Sequence, residues 1–398
     1  MNREDFPMLK QNIIYFDNGA TSFKPNIVID SIVDYYSNYT ANAHRGDYDI
    51  SLKVDLKYEG VRELVREFIN AKNAREIVFT RGTTDSLNMI VSGFMKNHLQ
   101  KGDEVLLTKA EHASNILPWI NLAKEIGIVV KYIPLDENYQ VTIENVLKTI
   151  TKKTKVISLA HITNVVGDTR PIEEIGRICK ENGIYLIVDG AQSIAHIKTD
   201  VVKDNIDFLA FSAHKMYGPT GVGVLYGKIS LLEEMVPTSL GGGMNSTFDS
   251  LGTFEIREVP TCFEAGTPMI AEVIGLGEAI KYIKSIGIDK IHDHEVKLQQ
   301  YLIEKLKQIP NISIYNSNIK GSTVAFNIND VFSQDTAVYL NHYNICVRAG
   351  NHCAKILKDE LKISNTCRIS LALYNNTIEI DKLIEVLEKS ENIFKIII

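Results

Sequence analysis

Residues 156–189 read VISLAHITNVVGDTRPIEEIGRICKENGIYLIVD, and this stretch decides the fold class. VISLA (156–160) and YLIV (185–188) are short runs, apolar at nearly every position. Strands buried on both faces have that pattern, whereas a half-exposed strand alternates. Between them Ile172, Ile175, Ile178 and Cys179 recur at helical spacing over 172–182, and Gly183 supplies the stop. Buried strands separated by a helix imply a parallel sheet covered by helices.

The alternation continues in both directions. Upstream, residues 56–71 place Val61, Leu64, Val65, Phe68 and Ile69 on one helical stripe. Residues 76–80, 103–108 and 129–133 read as strands, and 86–95 as a helix. Downstream, a strand from Asp207 runs into Ser212-Ala-His-Lys215, turns through Gly and Pro, and returns over 222–226. After about residue 270 the pattern changes. Helical stretches at 271–285 and 293–308 precede strands at 312–315, 322–328, 345–348 and 367–371, and a helix over 379–389 closes the chain. The expectation is an α/β protein with a large domain over 16–270 and a smaller α+β domain made of 1–15 and 271–398.

Composition narrows the function classes. The 398 residues are 45% hydrophobic and 23% charged, ample for a large core, with a net charge of −6. No run of Lys or Arg offers the clustered cations that phosphate backbones need, so nucleic acid is not an expected partner. The opening MNREDFPMLK has no apolar core of a secretory signal, and no apolar stretch nears the roughly 20 residues that span a bilayer. The IFKIII at the end is too short to anchor the chain. Five scattered cysteines argue against a disulfide framework and suit a reducing cytoplasm.

Lys215 stands at the mouth of a buried strand. Burial lowers an amine's pKa and makes it nucleophilic, as a Schiff base to an aldehyde requires. A surface Lys in a turn is the plain alternative. Twenty-six residues earlier, Asp189 ends another buried strand. It can hold a pyridinium nitrogen protonated, or simply cap a following helix. Gln192 can reach a ring oxygen. In FTRGTTDS (79–86) a strand, a Gly turn and a helix start follow one another, so amides and the Thr83 and Thr84 hydroxyls can bind phosphate. Simple capping is the alternative there, and no nucleotide motif is present. His112 closes the 103–108 strand and can stack on a ring. Asn164 follows the 156–160 strand and can touch ring or substrate. His161 has no assigned role.

Cys353 lies in RAGNHCA (348–354), beside His352 and near Arg348, a positive setting that favours a thiolate. The other cysteines read as inert: Cys179 on a helix's apolar face, Cys262, Cys346 and Cys367 in strand-like segments. A metal site at His352 and Cys353 fails on ligand number and spacing. In TCRISL (366–371) alternation sends Cys367, Ile369 and Leu371 one way and Arg368 the other. An Arg there needs an anion, either a substrate carboxylate or a structural partner.

Together these segments resemble the SUF-type (group II) cysteine desulfurases, within the class V group of fold-type-I pyridoxal-phosphate enzymes. RGTTDSLN, VDGAQS, FSAHKMYGPTGVGVLYG, FEAGTP and RAGNHCA carry the resemblance most specifically, with NAHRGDYDIS, EHASNILPW and CRISLALYNN beside them. It implies a large domain with a mostly parallel seven-stranded sheet plus a smaller α+β C-terminal domain. It also implies pyridoxal 5′-phosphate on Lys215, with Asp189 at the ring nitrogen, Gln192 at the ring oxygen and His112 stacked on the ring. Thr84, Ser212 and His214 would hold the phosphate, and Thr267 would reach the cofactor of the other subunit of a homodimer. Arg368, with Asn164 beside it and Arg348 near, would bind the carboxylate of L-cysteine. Cys353 would take the sulfur as a persulfide, for a SUF acceptor protein and iron–sulfur assembly. A selenocysteine lyase, another class V aminotransferase-type enzyme and a non-catalytic member of the fold are the rival readings. Three departures from the family pattern stand out: Asn351 where His is usual, Ala113 where a second His is usual, and no Pro after Ala354.

Overall fold

A computed structural model describes residues 2–44, 46–390 and 393. Arg45 of the NAHRGDYDIS stretch and most of the terminal IFKIII lie outside the described residues. Seven strands form the main sheet: β1 (Ile77–Thr80), β2 (Glu104–Leu107), β3 (Val129–Tyr132), β4 (Thr154–Ala160), β5 (Tyr185–Asp189), β6 (Phe208–Ser212) and β7 (Gly223–Gly227). Their spatial order is β1-β7-β6-β5-β4-β2-β3. Only β7 runs antiparallel to its neighbours. All the other pairs are parallel, as the apolar runs required.

Strand periodicity explains the two-sided burial. Leu159, Leu186, Val188 and Leu209 pack into the core on one face, while Val156, Ile187, Phe208 and Ala210 pack into the core on the other. Helices α1 (Asn26–Asn38), α2 (Asp49–Phe68), α4 (Ile172–Asn182) and α5 (Ile270–Ile286) cover the first face. Helix α4 has the bounds its spacing predicts, and Gly183 ends it in the left-handed conformation at φ 64°. The helix over 86–95 is different. It begins earlier, as α3 (Thr83–Met89), and becomes a π-helix over Ile90–Met95. There the Gly93 carbonyl accepts from the Val236 amide, and a Cβ on Gly93 would lie 2.6 Å from the Val236 carbonyl oxygen.

The smaller unit is a four-stranded antiparallel sheet of β8 (Ile312–Ile314), β9 (Thr323–Ile328), β10 (Arg348–Gly350) and β11 (Thr366–Ser370), ordered β8-β9-β11-β10. Val324, Phe326, Cys367 and Ile369 face its own core, against α6 (Ile288–Leu306) and α7 (Thr377–Glu388). Arg368 accordingly points the other way, toward the main sheet. The single strand expected over 345–348 is split. Ile345–Cys346 pairs in parallel with Ile14–Tyr15, and only Arg348–Gly350 joins the sheet. Cys262 lies in a 3-10 turn, Thr261–Phe263, not in a strand.

Candidate active site

All the parallel strands point their C-terminal ends at one edge of the main sheet, where α/β proteins place their ligands. Asp189 ends β5, Ser212 ends β6 with Lys215 just beyond, and the loops after β2 and β4 carry His112 and Asn164. The smaller unit closes this edge with Arg348, Cys353 and Arg368. A cavity of about 230 Å³ lies between them, and every residue singled out as a site residue lines it except Thr267.

Lys215 and Asp189 face each other's charge in this cavity. Burial pushes the Lys215 amine down to about 8; Asp189 opposes the drop while Arg368 and Arg348 add to it. Burial also raises the Asp189 carboxyl to about 6, against a hydrogen bond from the Ala191 amide to Oδ1 at 2.9 Å. Its other oxygen accepts no hydrogen bond from a described residue. Turns, not a helix, follow Asp189, so it caps no helix and holds only the turn amide of Ala191. Gln192 is held at the cavity wall by donating from Nε2 to the Gly19 carbonyl at 2.8 Å.

At the other end, Gly82 precedes α3 at φ 143° and brings no side chain to cap the first turn. The segment's own Thr and Ser side chains therefore do not cap it, and its first turn lines an open cleft. The Ser212 hydroxyl accepts from the Thr83 amide at 2.8 Å and shares a hydrogen bond with the Thr83 hydroxyl at 2.7 Å. A Cβ at Gly223 would lie 2.5 Å from the Gly82 Cα, so β7 and this turn can meet only with glycine there. Thr84 shares a hydrogen bond with Ser114 at 2.7 Å. Burial, then Lys215 and Lys24, hold His214 down at about 4.

His112 is neutral. Burial, followed by Lys215, Arg348 and Arg368, lowers its pKa to about 4. The Ser114 amide donates to Nδ1 at 3.1 Å, which leaves the proton on Nε2. The loop carrying it rests on a network unseen in the sequence. Glu111 and Arg170, both fully buried, are paired, and Glu111 also accepts from Thr108, Asn115 and the Ala160 amide at 2.7, 3.0 and 2.7 Å. His161 is buried outside the cavity with Nδ1 unpartnered, while its amide donates to the Asp189 carbonyl.

Arg348 and Arg368 lie directly opposite each other across β10 and β11. Among the described residues Asp17 is the one carboxylate between them, 2.9 Å from Arg368 and 3.8 Å from Arg348. Arg368 also donates to the Asn164 carbonyl at 2.8 Å, and its Nε has no partner. So the structural ion pair exists and still leaves a surplus positive charge. The Asn164 amide side chain donates to the His352 carbonyl at 2.6 Å, and its Oδ1 is buried without a donor. Cys353 is exposed, and its carbonyl accepts from the Ala113 amide at 2.8 Å. His352 does not supply the positive setting expected for it. Its ring turns inward to donate to the Thr366 carbonyl at 3.0 Å, and burial, with Arg368 and Lys358, pushes it down to about 2. The arginines carry that charge instead.

Thr267 is exposed on a separate cleft with Tyr58, Phe79 and Glu264. That cleft shares Arg81 and Asp85 with the opening beside Gly82 and Thr84. Within one chain Thr267 does not reach the cavity.

Residues 14–383 match the Aminotransferase class-V family. A protein of Halalkalibacterium halodurans named "Probable cysteine desulfurase" is 43% identical, covering 98% of this chain and 97% of that protein. One of the same name from Staphylococcus aureus (strain Mu50) is 41% identical, covering 98% and 96%. Among solved structures, the apo cysteine desulfurase of Thermococcus onnurineus NA1 superposes with a TM-score of 0.93 at 37% identity, covering 97% of this chain and 96% of that one. The cysteine desulfurase CsdA of Escherichia coli, in an S-sulfonic acid form, does so with 0.92 at 34%, covering 98% and 97%. The chain therefore belongs to the aminotransferase class-V family, within the group that holds the cysteine desulfurases.

Proposed function

We propose that this chain is a pyridoxal-phosphate-dependent cysteine desulfurase that converts L-cysteine to L-alanine and leaves a persulfide on Cys353. One observation carries the reading: an exposed thiol shares a cavity with a buried amine of lowered pKa and a buried carboxylate that keeps one oxygen free.

The residues fit the cofactor. Asp189 has a free acceptor for a ring N–H, and Gln192 and His112 flank the same space. Thr83, Thr84, Ser212 and His214 surround the start of α3, where a phosphate is favoured. When bound, the cofactor supplies an aldehyde for the Lys215 amine and a cationic ring that accepts electrons.

The remaining work falls to the side chains. Arg368 binds the substrate carboxylate through its free guanidinium edge, and Asn164 fixes that Arg through its carbonyl. Arg348 adds charge at the cavity rim. Once freed, the Lys215 amine is the base beside the substrate's Cα proton, and His112 keeps a proton on Nε2 facing the cavity. The Cys353 thiolate attacks the substrate sulfur. A sulfur–sulfur bond forms, the carbon–sulfur bond breaks, and the Cβ gains the proton that makes alanine. The exposed thiol separates this reading from amino transfer, which has no use for it.

The reading extends to partners and organisation. Thr267 serves the cofactor of the second subunit of a homodimer, since it opens on the outer cleft and not on its own cavity. The persulfide passes to an acceptor protein of the SUF type for iron–sulfur assembly in the cytoplasm. Among the described residues no helix is long and apolar enough to cross a membrane. Residues 16–270 hold the cofactor, while 1–15 and 271–398 bring the thiol and the carboxylate-binding Arg. Incubation with L-cysteine should yield alanine and a mass increase of one sulfur on Cys353. Cys353→Ala should keep the absorbance of Lys215-bound cofactor and lose sulfur release; sulfide at the full rate from that variant rules the mechanism out.

A further inference from the structure

Lys358 is buried, at 4% exposure, in the short helix Leu357–Leu361 just after the Cys353 loop. Among the described residues no carboxylate offsets the effect of burial on it. Its ammonium donates to the Gly350 carbonyl at 2.9 Å and to the Thr366 hydroxyl at 3.4 Å. Gly350 and Thr366 are register partners on the last rung between β10 and β11. The side chain thus spans the point where the Cys353 loop leaves the sheet, and Gly350 makes that exit at φ 115°.

The backbone of this loop is tied down at each step. The His352 ring donates to Thr366, the His352 carbonyl accepts from Asn164, and the Cys353 carbonyl accepts from the Ala113 amide. His352 and Cys353 both adopt positive φ, 50° and 55°, which costs energy for residues other than glycine and persists only where the surroundings impose it. Among the described residues Lys358 is the one tie made by an amine, which burial pushes down to about 8. A methionine of similar length would fill the space without burying an unpaired cation, so the Lys gains nothing for packing. What it adds is a donor for Gly350 and a positive potential beneath the loop, which His352 senses.

We propose that Lys358 is the positioning residue of the sulfur-accepting loop: its buried ammonium clamps Gly350 to Thr366 and so holds the Cys353 thiol at the cavity. The proposal rests on the reading of Cys353 as the sulfur acceptor. It separates folding stability from function, because the clamp serves the loop and not the core.

The test uses the holoenzyme with Lys358→Met and Lys358→Arg. In Lys358→Met the cofactor absorbance and thermal midpoint are unchanged or the midpoint is higher, KM for L-cysteine stays within about twofold, and kcat falls about tenfold or more. Amide exchange at residues 351–354 speeds up, and the time course of Cys353 alkylation by iodoacetamide at a fixed pH changes. Lys358→Arg, which keeps charge and donors, restores most of the exchange protection. Loop exchange and an alkylation profile identical to those of the unsubstituted protein overturn the proposal. Should Lys358→Met not fold, the near-isosteric Thr366→Val removes one clamp partner, and unchanged exchange there overturns it equally. Exchange and alkylation need no turnover, so full activity in Cys353→Ala would sink the functional reading while these two readouts still decide the clamp.

Discussion

Like charges facing each other on neighbouring strands repel, yet Arg348 and Arg368 occupy partner positions with, among the described residues, a single carboxylate, Asp17, between them. The arrangement suits an anion-binding site, because a substrate carboxylate bound as proposed would complete the neutralisation. Lys in place of Arg368 keeps the charge but loses the planar two-pronged donor set. A charge-assisted hydrogen bond of that kind contributes about 1.5–3 kcal/mol, so Arg368→Lys should raise KM for L-cysteine about tenfold or more. The contact is the same before and during the chemistry, so kcat should change much less. Steady-state kinetics check it, and an unchanged KM means the carboxylate binds elsewhere. The orientation of Arg368 was readable in advance, since alternation in TCRISL leaves it only one face. Asp17 was not, because it lies 351 residues away from Arg368 and nothing local marks it. His352 misled for a related reason: positive φ at 352 and 353 breaks the alternation, so the ring turns away from the thiol it adjoins.

Loops after the parallel strands position the site, and the 108–115 loop depends on charge burial more than on apolar packing. Arg170 and Glu111 are both fully buried, and Glu111 gathers donors from Thr108, Asn115 and β4. Removing one member of a buried pair strands the other and costs about 3–5 kcal/mol, whereas replacing both costs less. Arg170→Met should therefore lower the urea midpoint sharply and disturb His112, and adding Glu111→Gln should recover part of the loss. A single variant as stable as the parent would show that the network supports nothing. Elements with a clean period were evident from sequence, α4 most of all. Helix α1 was not, because Ile27, Ile29, Val33 and Tyr36 are exposed while Val28 and Tyr35 are buried. Apolar residues on both sides erase the helical stripe.

Two units share one cavity because the N-terminal segment crosses between them. Ile14–Tyr15 pairs with the smaller unit through Ile345–Cys346 and delivers Asp17 to both arginines. Burial of ionisable groups, inside this cavity and outside it, sets how the whole molecule responds to acid. Burial leads the causes that lower His112, His161 and His214 to about 4 and His352 to about 2, from an ordinary 6.5. For each, the folded state binds fewer protons than the unfolded state below about pH 6.5. Stability is therefore complete above that value and declines as pH falls through the window. Burial raises Asp189 and Asp204 to about 6 from 3.8, so those two act in the opposite sense below pH 6 and offset part of the loss. Each group contributes at most about 1.4 kcal/mol per pH unit, and two of the histidines are only partly buried. For the cofactor-free protein a net loss on the order of 2–4 kcal/mol is expected between pH 7 and pH 5. It would appear as a falling urea midpoint at constant m-value. His161 is the cleanest single contributor, since Nδ1 has no partner and the ring lies outside the cavity. In His161→Leu the fall between pH 6.5 and pH 5 should become shallower while the cavity is untouched. A slope as steep as that of the parent would mean that His161 is not buried neutral, and a midpoint that rises on acidification would mean that the carboxylates outweigh the histidines.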